Sequence, residues 1–415
     1  MQNRFSNKQC FKYSTAVVSG VLGLSAPLGA LEPEDVLHYR VGNVHIRPQF
    51  SAGMTYNDNI FFRSDDALSQ LLRGPKESDL INQVGPGVTF TLGDNQINTL
   101  SFSYNYLHRF YADHSEVSSG DHFAGLAAAV TRGKVRMTTD HTLSYLTGIQ
   151  GGNTSIVEQS SRLQLSDQLR INLDLTPKSD VYVSGTLSQT DQAETSRFSD
   201  VSSWRMAGGY GFKYSEGLRF FSQLSYGKQK TSGQGRVERV WNFVGGSVGA
   251  EGEFTKKLTG TLQFGYQRRS SDFTGISAGS PTITAELEQL LGDRTMLALT
   301  YTRANQVNVD AFDSASVSDN FRLTLRRALG NRRKWFASVF GGYYKNDFSS
   351  SGGSLRDRSD TSLSFGGGID YQIQEWLSSS LTYSFSDFSA DIPSSTLSSI
   401  DYQVNQVSVS ANFGF

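Results

Sequence analysis

The chain has 415 residues, a formal net charge of −1 at pH 7 and an aromatic content of 12%. A charge so close to zero gives no reason to expect a nucleic acid or another strongly charged partner. Beyond the amino terminus there is no apolar run of the ~18 residues that a transmembrane helix needs. The composition therefore excludes a protein that crosses a membrane with helices.

Residues 1–30 have the pattern of a secretory signal peptide. Arg4, Lys8 and Lys12 supply positive charge, and an apolar stretch ending in small residues follows over 15–30. We predict cleavage near residue 30, a short periplasmic segment over 31–43 and a mature domain over 44–415. The single cysteine, Cys10, precedes the apolar core, so the mature chain is expected to contain neither disulfides nor thiolate metal ligands.

From about residue 44 onward, apolar and polar residues alternate with a period of two in eighteen segments, most of them clear. A strand that presents one face to lipid and the other to water has this pattern. The segments near Val181 and Pro281 alternate less clearly. The closing strand over 407–415 is among the clearest, with one apolar face that consists of Val407, Val409, Ala411, Phe413 and Phe415.

The segments are separated in turn by long polar loops and by tight turns. The gaps over 57–78 and 346–359 are long, whereas those over 93–95 and 132–134 are short and rich in Gly, Asn and Asp. Long outer loops alternating with short periplasmic turns are typical of bacterial outer-membrane barrels. Since every backbone polar group must be paired in hydrocarbon, the sheet must close. We predict an all-β, transmembrane antiparallel barrel of eighteen strands in the bacterial outer membrane.

The carboxyl terminus also indicates this class. Phe413 and Phe415 end the last strand on its apolar face, and such an ending resembles the recognition signal of outer-membrane barrels. We assign both as the barrel-assembly signal. The expected partners are outer-membrane lipid, lipopolysaccharide and the barrel-assembly machinery.

The polar face of the predicted strands lines a lumen. Eighteen strands enclose more space than side chains fill, so we expect a water-filled channel, either open or narrowed by an inward-folded loop. Opposed basic and acidic walls would favour ions of one sign. Alternatively, the charges lie near the rims in ordinary ion pairs. The candidate pore-lining residues are Arg162, Arg170, Arg205, Lys213 and Arg219, then Glu251, Glu253, Glu286 and Glu288, and finally Arg322 and Arg326.

Two other groups of side chains allow alternative interpretations. Aromatic residues near strand ends predict girdles at the membrane interfaces, while Trp241, Phe221 and Phe243 could instead stack sugars inside the lumen. No histidines pair at metal-ligand spacing. The best catalytic constellation flanks one outer loop, but solvated loop residues explain it more simply, and we expect no enzyme, cofactor or metal. That constellation is His108, His114 and His122 with Asp113 and Asp121.

Residues 46–61 resemble the opening of a family of outer-membrane β-barrel porins, whose first strand is followed by a motif like that of Tyr56-Asn-Asp-Asn-Ile-Phe61. The run from Leu258 to Tyr266 is also similar. Many members lie beside genes for exopolysaccharide synthesis and export. The resemblance implies a porin-like channel for hydrophilic solutes or an exported polysaccharide, with polysaccharide export proteins as partners. Two alternatives stay open: a non-conducting barrel that docks to an export machine, and an outer-membrane barrel hydrolase.

Overall fold

The structure is a computed structural model that describes residues 39–65, 70, 74–93, 98–150, 158–193, 198–232, 238–272, 275, 277–307, 314–330, 334–350, 358–391 and 400–414. The predicted signal region and Phe415 lie outside these residues. Within the described ranges, no helix is long and apolar enough to cross a membrane.

Eighteen antiparallel strands form one closed barrel, which confirms the predicted fold class and strand number. Each strand pairs with the next, and the first pairs with the last. The strands are β1 Val44–Asn57, β2 Asp79–Leu92, β3 Asn98–Tyr111, β4 Ser119–Arg132, β5 Val135–Leu146, β6 Arg162–Thr176, β7 Ser179–Gln192, β8 Asp200–Lys213, β9 Leu218–Ser232, β10 Arg239–Thr255, β11 Leu258–Ser271, β12 Ser277–Leu290, β13 Thr295–Val307, β14 Ser314–Leu329, β15 Trp335–Ser350, β16 Arg358–Gln374, β17 Leu377–Asp391 and β18 Ile400–Phe413.

Three short elements accompany the barrel. Tyr39–Val41 pairs with the start of β1, inside the segment predicted to be a periplasmic lead-in. Ile149–Gln150 pairs with Glu158–Gln159 in an outer loop, and a 3-10 turn covers Ser115–Val117. None of these adds a layer to the barrel.

The strands are longer than the ~10 residues that a tilted membrane crossing requires. They run from 12 residues in β5 to 17 in β10. Several therefore continue into stretches that the sequence pattern assigns to outer loops, such as the region after residue 228. Polar side chains are tolerated at these outer strand ends, because the ends extend beyond the membrane into water.

The predicted two-sided character of the strands is present throughout. Large apolar side chains on the outer face are widely exposed, with Leu224 at 75% and Val248 at 60%. Alternating with them on the inner face of β9 and β10 are polar or small residues such as Gln223 and Ser247. Exposure of this magnitude would be unfavourable in water, but it suits a surface covered by acyl chains.

Glycine permits two of the tight periplasmic turns. Gly133 joins β4 to β5 with φ 59°, and Gly292 lies between β12 and β13 with φ 92°. Residues with a Cβ rarely adopt these dihedral angles, so glycine at these positions keeps the connections short.

The closing seam between β1 and β18 is shorter than its neighbours. The paired register runs from Phe50 opposite Phe413 to Asn57 opposite Gln406, although β18 extends on to Ile400. The ring of Phe413 lies 6.1 Å from that of Phe50, so this part of the predicted assembly signal packs on the outer face of the seam.

The residues that follow β1 continue the seam with side chains. The Asp58 carboxylate accepts hydrogen bonds from the backbone N–H and the side-chain amide of Asn405, each at 2.7 Å. The Asn59 amide donates to the Gln403 carbonyl at 2.9 Å. The Asn-Asp-Asn part of the motif that carries the family resemblance is thus a clasp between the first and last strands.

A second irregularity lies between β12 and β13. Their ladder ends at Ile283 opposite Arg303, although both strands continue outward. Pro281 explains this end, because proline has no N–H to donate to the ladder. Beyond it, the Asn305 amide bonds Gln267 at 3.1 Å and Ser280 at 2.6 Å, so side chains replace the missing backbone pairs.

We expect Asp58→Ala to destabilise the barrel by about 2 kcal/mol, since it removes two hydrogen bonds to a charged acceptor. Urea unfolding of the detergent-solubilised barrel, followed by its heat-modifiable migration in electrophoresis, measures this change. Asp65→Ala is the matched control, because its carboxylate is 70% exposed and, among the described residues, pairs with Lys76 alone. Equal stability of the two variants would contradict a role for Asp58 in the seam.

Candidate functional site: the barrel lumen

The interior of the barrel is hollow through its middle. On several strands three successive residues are exposed, for example the run Trp204, Arg205, Met206 and the run Phe321, Arg322, Leu323. Successive residues point to opposite faces of a strand, so exposure of all three means that solvent reaches both faces. A barrel filled by its own side chains would bury the middle residue of each run.

All eleven candidate pore-lining residues lie on the inward face. The register places many of them side by side across the wall, because residues directly opposite each other in the ladder share a face. One such row crosses seven strands and consists of Lys213, Arg219, Glu251, Thr261, Glu286, Thr300 and Arg322.

Three of these cations are held in ion pairs near the periplasmic turns. Arg219 contacts Asp180 and Glu251, with its Nε 2.8 Å from the Asp180 carboxylate. Lys213 lies 3.2 Å from Asp174, and Arg326 lies 3.5 Å from Asp370. At the periplasmic end, these charges thus lie in ordinary ion pairs near the rim, which was the alternative considered from the sequence. Such pairs weaken any electric field across the lumen.

Two arginines near the middle of their strands differ from this pattern. The Arg170 guanidinium lies over the Tyr182 ring at 4.0 Å and donates to Asn172 at 2.9 Å. Arg205 is exposed to the lumen, and no described residue forms a hydrogen bond or ion pair with it. Neither forms an ion pair with a carboxylate of the described residues, although Arg170 is close enough to Asp180 to interact with it electrostatically. We expect their charge to act on a passing solute.

The remaining candidates lie at the outer end, in the middle and near the periplasmic end of the channel. Arg162 begins β6 at the outer end, near the ion pair formed by Arg109 and Asp121. Arg322, near the middle of β14, lies over the Phe340 ring of β15 at 4.3 Å. Three exposed carboxylates lie close to the periplasmic turns of β10 and β12: Glu253, Glu286 and Glu288.

The three inward aromatic residues considered for sugar stacking are buried. Trp241 is 3% exposed and Phe243 7%, and Arg269 lies over the Trp241 ring at 5.9 Å. Arg219 lies at a similar distance from the Phe221 ring. Sugar stacking needs accessible ring faces, so these residues do not supply the stacking path considered from the sequence.

The first outer loop lies on the lumen side of the wall. Phe62 packs on the inward-facing Phe388 and Tyr402 of β17 and β18, and its ring centroid lies 5.4 Å from that of Tyr402. Phe388 is 1% exposed and stacks on Tyr402 at 4.9 Å. This apolar contact holds Phe62 on the inner side of the wall at the outer mouth.

An acidic cradle ties this loop to the second outer loop. His114 Nδ1 lies 2.9 Å from Asp79 and its Nε2 lies 2.6 Å from Glu77, which in turn pairs with Arg63. Asp79 also accepts the backbone N–H of Ala112. The hydrogen bond to Asp79 raises the pKa of His114, burial opposes this effect, and the contact with Glu77 reinforces it.

The structure separates the histidines that the sequence places around one loop. His108 and His122 lie on the outer face of the barrel, where they bond Tyr106 and Tyr104, each at 2.8 Å. His114 alone faces the cradle of the two loops. The described residues contain no cluster of three or more His, Cys, Asp or Glu arranged to hold a metal.

A family model described as "Putative beta-barrel porin 2" matches residues 200–415, which is more than half of the chain. The chain belongs to this porin family. The match covers β8 to β18, the part of the barrel that includes the closing strand. Family membership and the closed barrel together locate the protein in the bacterial outer membrane.

The barrel is also similar to solved outer-membrane structures at low identity. Pseudomonas aeruginosa OpdQ is 11% identical, with a TM-score of 0.45, 90% of this chain and 99% of that chain covered. Acinetobacter baumannii OccAB3 is 11% identical, with a TM-score of 0.46 and coverages of 89% and 99%. The FrpB iron transporter of Neisseria meningitidis is 10% identical, with a TM-score of 0.45 and coverages of 93% and 83%. No curated protein matches the chain.

Sequence reasoning missed the anchors of the porin's first loop. Asp58, Asn59 and Asp79 read as ordinary loop residues, yet each bonds backbone groups of another strand or loop. The available signal was the run of Asn and Asp after β1, since these side chains often bond nearby backbone. Its long-range partners could not be inferred without the closed seam.

The raised pKa of His114 predicts a pH dependence of the loop cradle. Protonated His114 favours the folded cradle, so its contribution is complete below the ordinary value near 6.5 and is lost as pH rises through the raised value. The free energy of urea unfolding should therefore differ most between the porin and His114→Gln at pH 5.5, and least at pH 9.

His108→Gln is the control, because that imidazole bonds Tyr106 on the outer face instead. A stability difference for His114→Gln that stays constant across this pH range would contradict the assignment.

Proposed function

We propose that this porin is a channel for the passive passage of small hydrophilic solutes across the outer membrane. The observation that carries this proposal is the exposure of both faces of the strands in the middle of the barrel. Water-accessible Ser, Thr and Arg side chains can replace part of the hydration of a polar solute as it passes. No energised step is needed for such transport.

Selectivity would arise at two points along the lumen. At the outer mouth, the inward-packed first loop restricts the size of the solute. Near the middle, Arg170 and Arg205 provide cations that form no ion pair with a described carboxylate, whereas the ion pairs towards the periplasm neutralise one another. A moderate preference for anionic solutes at this level of the lumen follows, because the exposed carboxylates Glu253, Glu286 and Glu288 lie nearer the periplasmic turns.

The double change Arg170→Gln and Arg205→Gln should shift permeability towards cations. The measurement is the reversal potential of single channels in a planar bilayer under a salt gradient. Arg268→Gln removes the same charge from the outer face, where Arg268 bonds Ser277, and should leave the potential unchanged. An unchanged potential in the double variant would remove these arginines from the selectivity mechanism.

The same recordings separate a pore from the non-conducting docking barrel considered from the sequence. Steady conductance steps support a pore, whereas silence supports a barrel that docks to an export machine. Passage of an exported polysaccharide is the finer form of the proposal, and its support is the family resemblance of the Tyr56-Asn-Asp-Asn-Ile-Phe61 motif. The covered rings of Trp241 and Phe243 do not favour a sugar-stacking path.

A further inference from the structure

A hydrogen-bonded group of polar side chains lies on the lipid-facing surface, away from the lumen. His141 projects outward from β5, and its Nδ1 lies 2.7 Å from the carboxylate of Asp167 on β6. The side chains are 42% and 26% exposed. On β5, His141 is two outward positions below Tyr145, and Thr139 is three.

The surroundings of this pair are apolar. The ladder places Leu126 beside His141 and Leu187 beside Asp167, and Leu143 and Leu169 lie on the same face. Ionisable side chains are costly on the lipid face of a barrel, and those found inside a membrane usually have a function. The location therefore calls for an explanation beyond stability.

A third group completes a catalytic geometry. The Thr139 hydroxyl lies 2.8 Å from His141 Nε2 and 3.0 Å from the Gln168 carbonyl. The Thr139 hydroxyl donates its proton to the Gln168 carbonyl, and His141 Nε2 lies beside the hydroxyl oxygen. Since a carboxylate can only accept, Nδ1 carries a proton towards Asp167, and rotation of the hydroxyl hydrogen would direct it to Nε2 of the neutral ring. A hydroxyl, an imidazole and a carboxylate in this order form the arrangement that activates a nucleophile.

Space for an acyl chain adjoins the group. A groove of about 300 Å³ runs from His141 across β7 to β8, lined by Leu169, Leu187, Trp204 and Met206. Its floor includes Gly185, where an added Cβ would meet nothing within 4 Å. An apolar groove beside a hydroxyl–imidazole pair suits a fatty acyl group whose ester lies at the hydroxyl.

We propose that Thr139, His141 and Asp167 form a catalytic triad that hydrolyses acyl esters of membrane lipids at the lipid-facing surface of the barrel. Thr139 Oγ1 attacks the ester carbonyl carbon while His141 Nε2 takes the hydroxyl proton. The bond from the acyl carbon to the alcohol oxygen then breaks, and the imidazolium returns the proton to that oxygen. Water, activated by the same imidazole, cleaves the acyl-threonine ester and releases a fatty acid. Asp167 is a positioning residue that fixes the tautomer of the ring.

The test uses the full mature barrel in vesicles of phosphatidylethanolamine and phosphatidylglycerol with labelled oleoyl chains. Wild-type protein should release free oleate, and His141→Asn or Thr139→Val should lower the rate by about 100-fold or more, the usual effect of losing a general base. Asp167→Asn should lower kcat with little change in KM. His122→Asn, another outward histidine in the interface girdle, should leave the rate unchanged.

Thr139→Ser distinguishes catalysis from a group that only satisfies its own hydrogen bonds. A primary hydroxyl is less hindered, so this variant should hydrolyse the lipid at least as fast as the wild type. Mass spectrometry of trapped intermediate should place the acyl group on residue 139. Oleate release by the wild type no faster than by His141→Asn, or full activity of Thr139→Val, would overturn the proposal. Heat-modifiable migration in electrophoresis establishes that each variant is folded. Channel conductance depends on the lumen, so its outcome is independent of the result for lipid hydrolysis.

Discussion

Backbone hydrogen bonding in a medium without water is the constraint on which this structure depends. Each strand exposes a row of N–H and C=O groups that hydrocarbon cannot satisfy, so the first strand must meet the last. The backbone ladder between β1 and β18 is shorter than the ladder between β1 and β2. Beyond its end, the side chains of Asp58 and Asn59 bond the last strand. The family motif is thus explained by closure of the barrel, and transport need not be invoked for it.

The same constraint accounts for the exception between β12 and β13. Pro281 ends that ladder near the outer girdle, where Tyr266 pairs with it from β11. Side chains of Gln267, Ser280 and Asn305 then satisfy one another in place of the backbone. A proline deeper in the membrane would leave backbone groups unpaired in hydrocarbon. Placing polar side chains there to pair with them would cost more free energy than at the outer girdle.

The two faces of the wall carry different chemistry because they meet different solvents. Inside, charge is tolerated in number, since water and opposite charges compensate it, and most carboxylates near the periplasmic end either pair with arginine or lysine or face solvent. Outside, the His141–Asp167 pair lies among leucines. The charges inside the barrel are expected to act in conduction, and the His141–Asp167 pair outside is expected to act on lipid. The two can therefore be studied separately.

The alternation of apolar and polar residues determined the strands and which charges point inward. The alternation of long loops with short turns, together with the aromatic terminus, determined the barrel and its strand number. The sequence sufficed for these features because each is a local property of a strand between two solvents. The sequence could not decide which charges pair, since Arg219 meets Asp180 from β7 and Glu251 from β10, whereas Arg205 on the neighbouring strand meets no described partner. It also could not join His141 to Asp167 or separate His108 from His114. Register decides such contacts, and register is fixed only when the whole ladder closes, because moving one strand by a single residue would exchange its two faces.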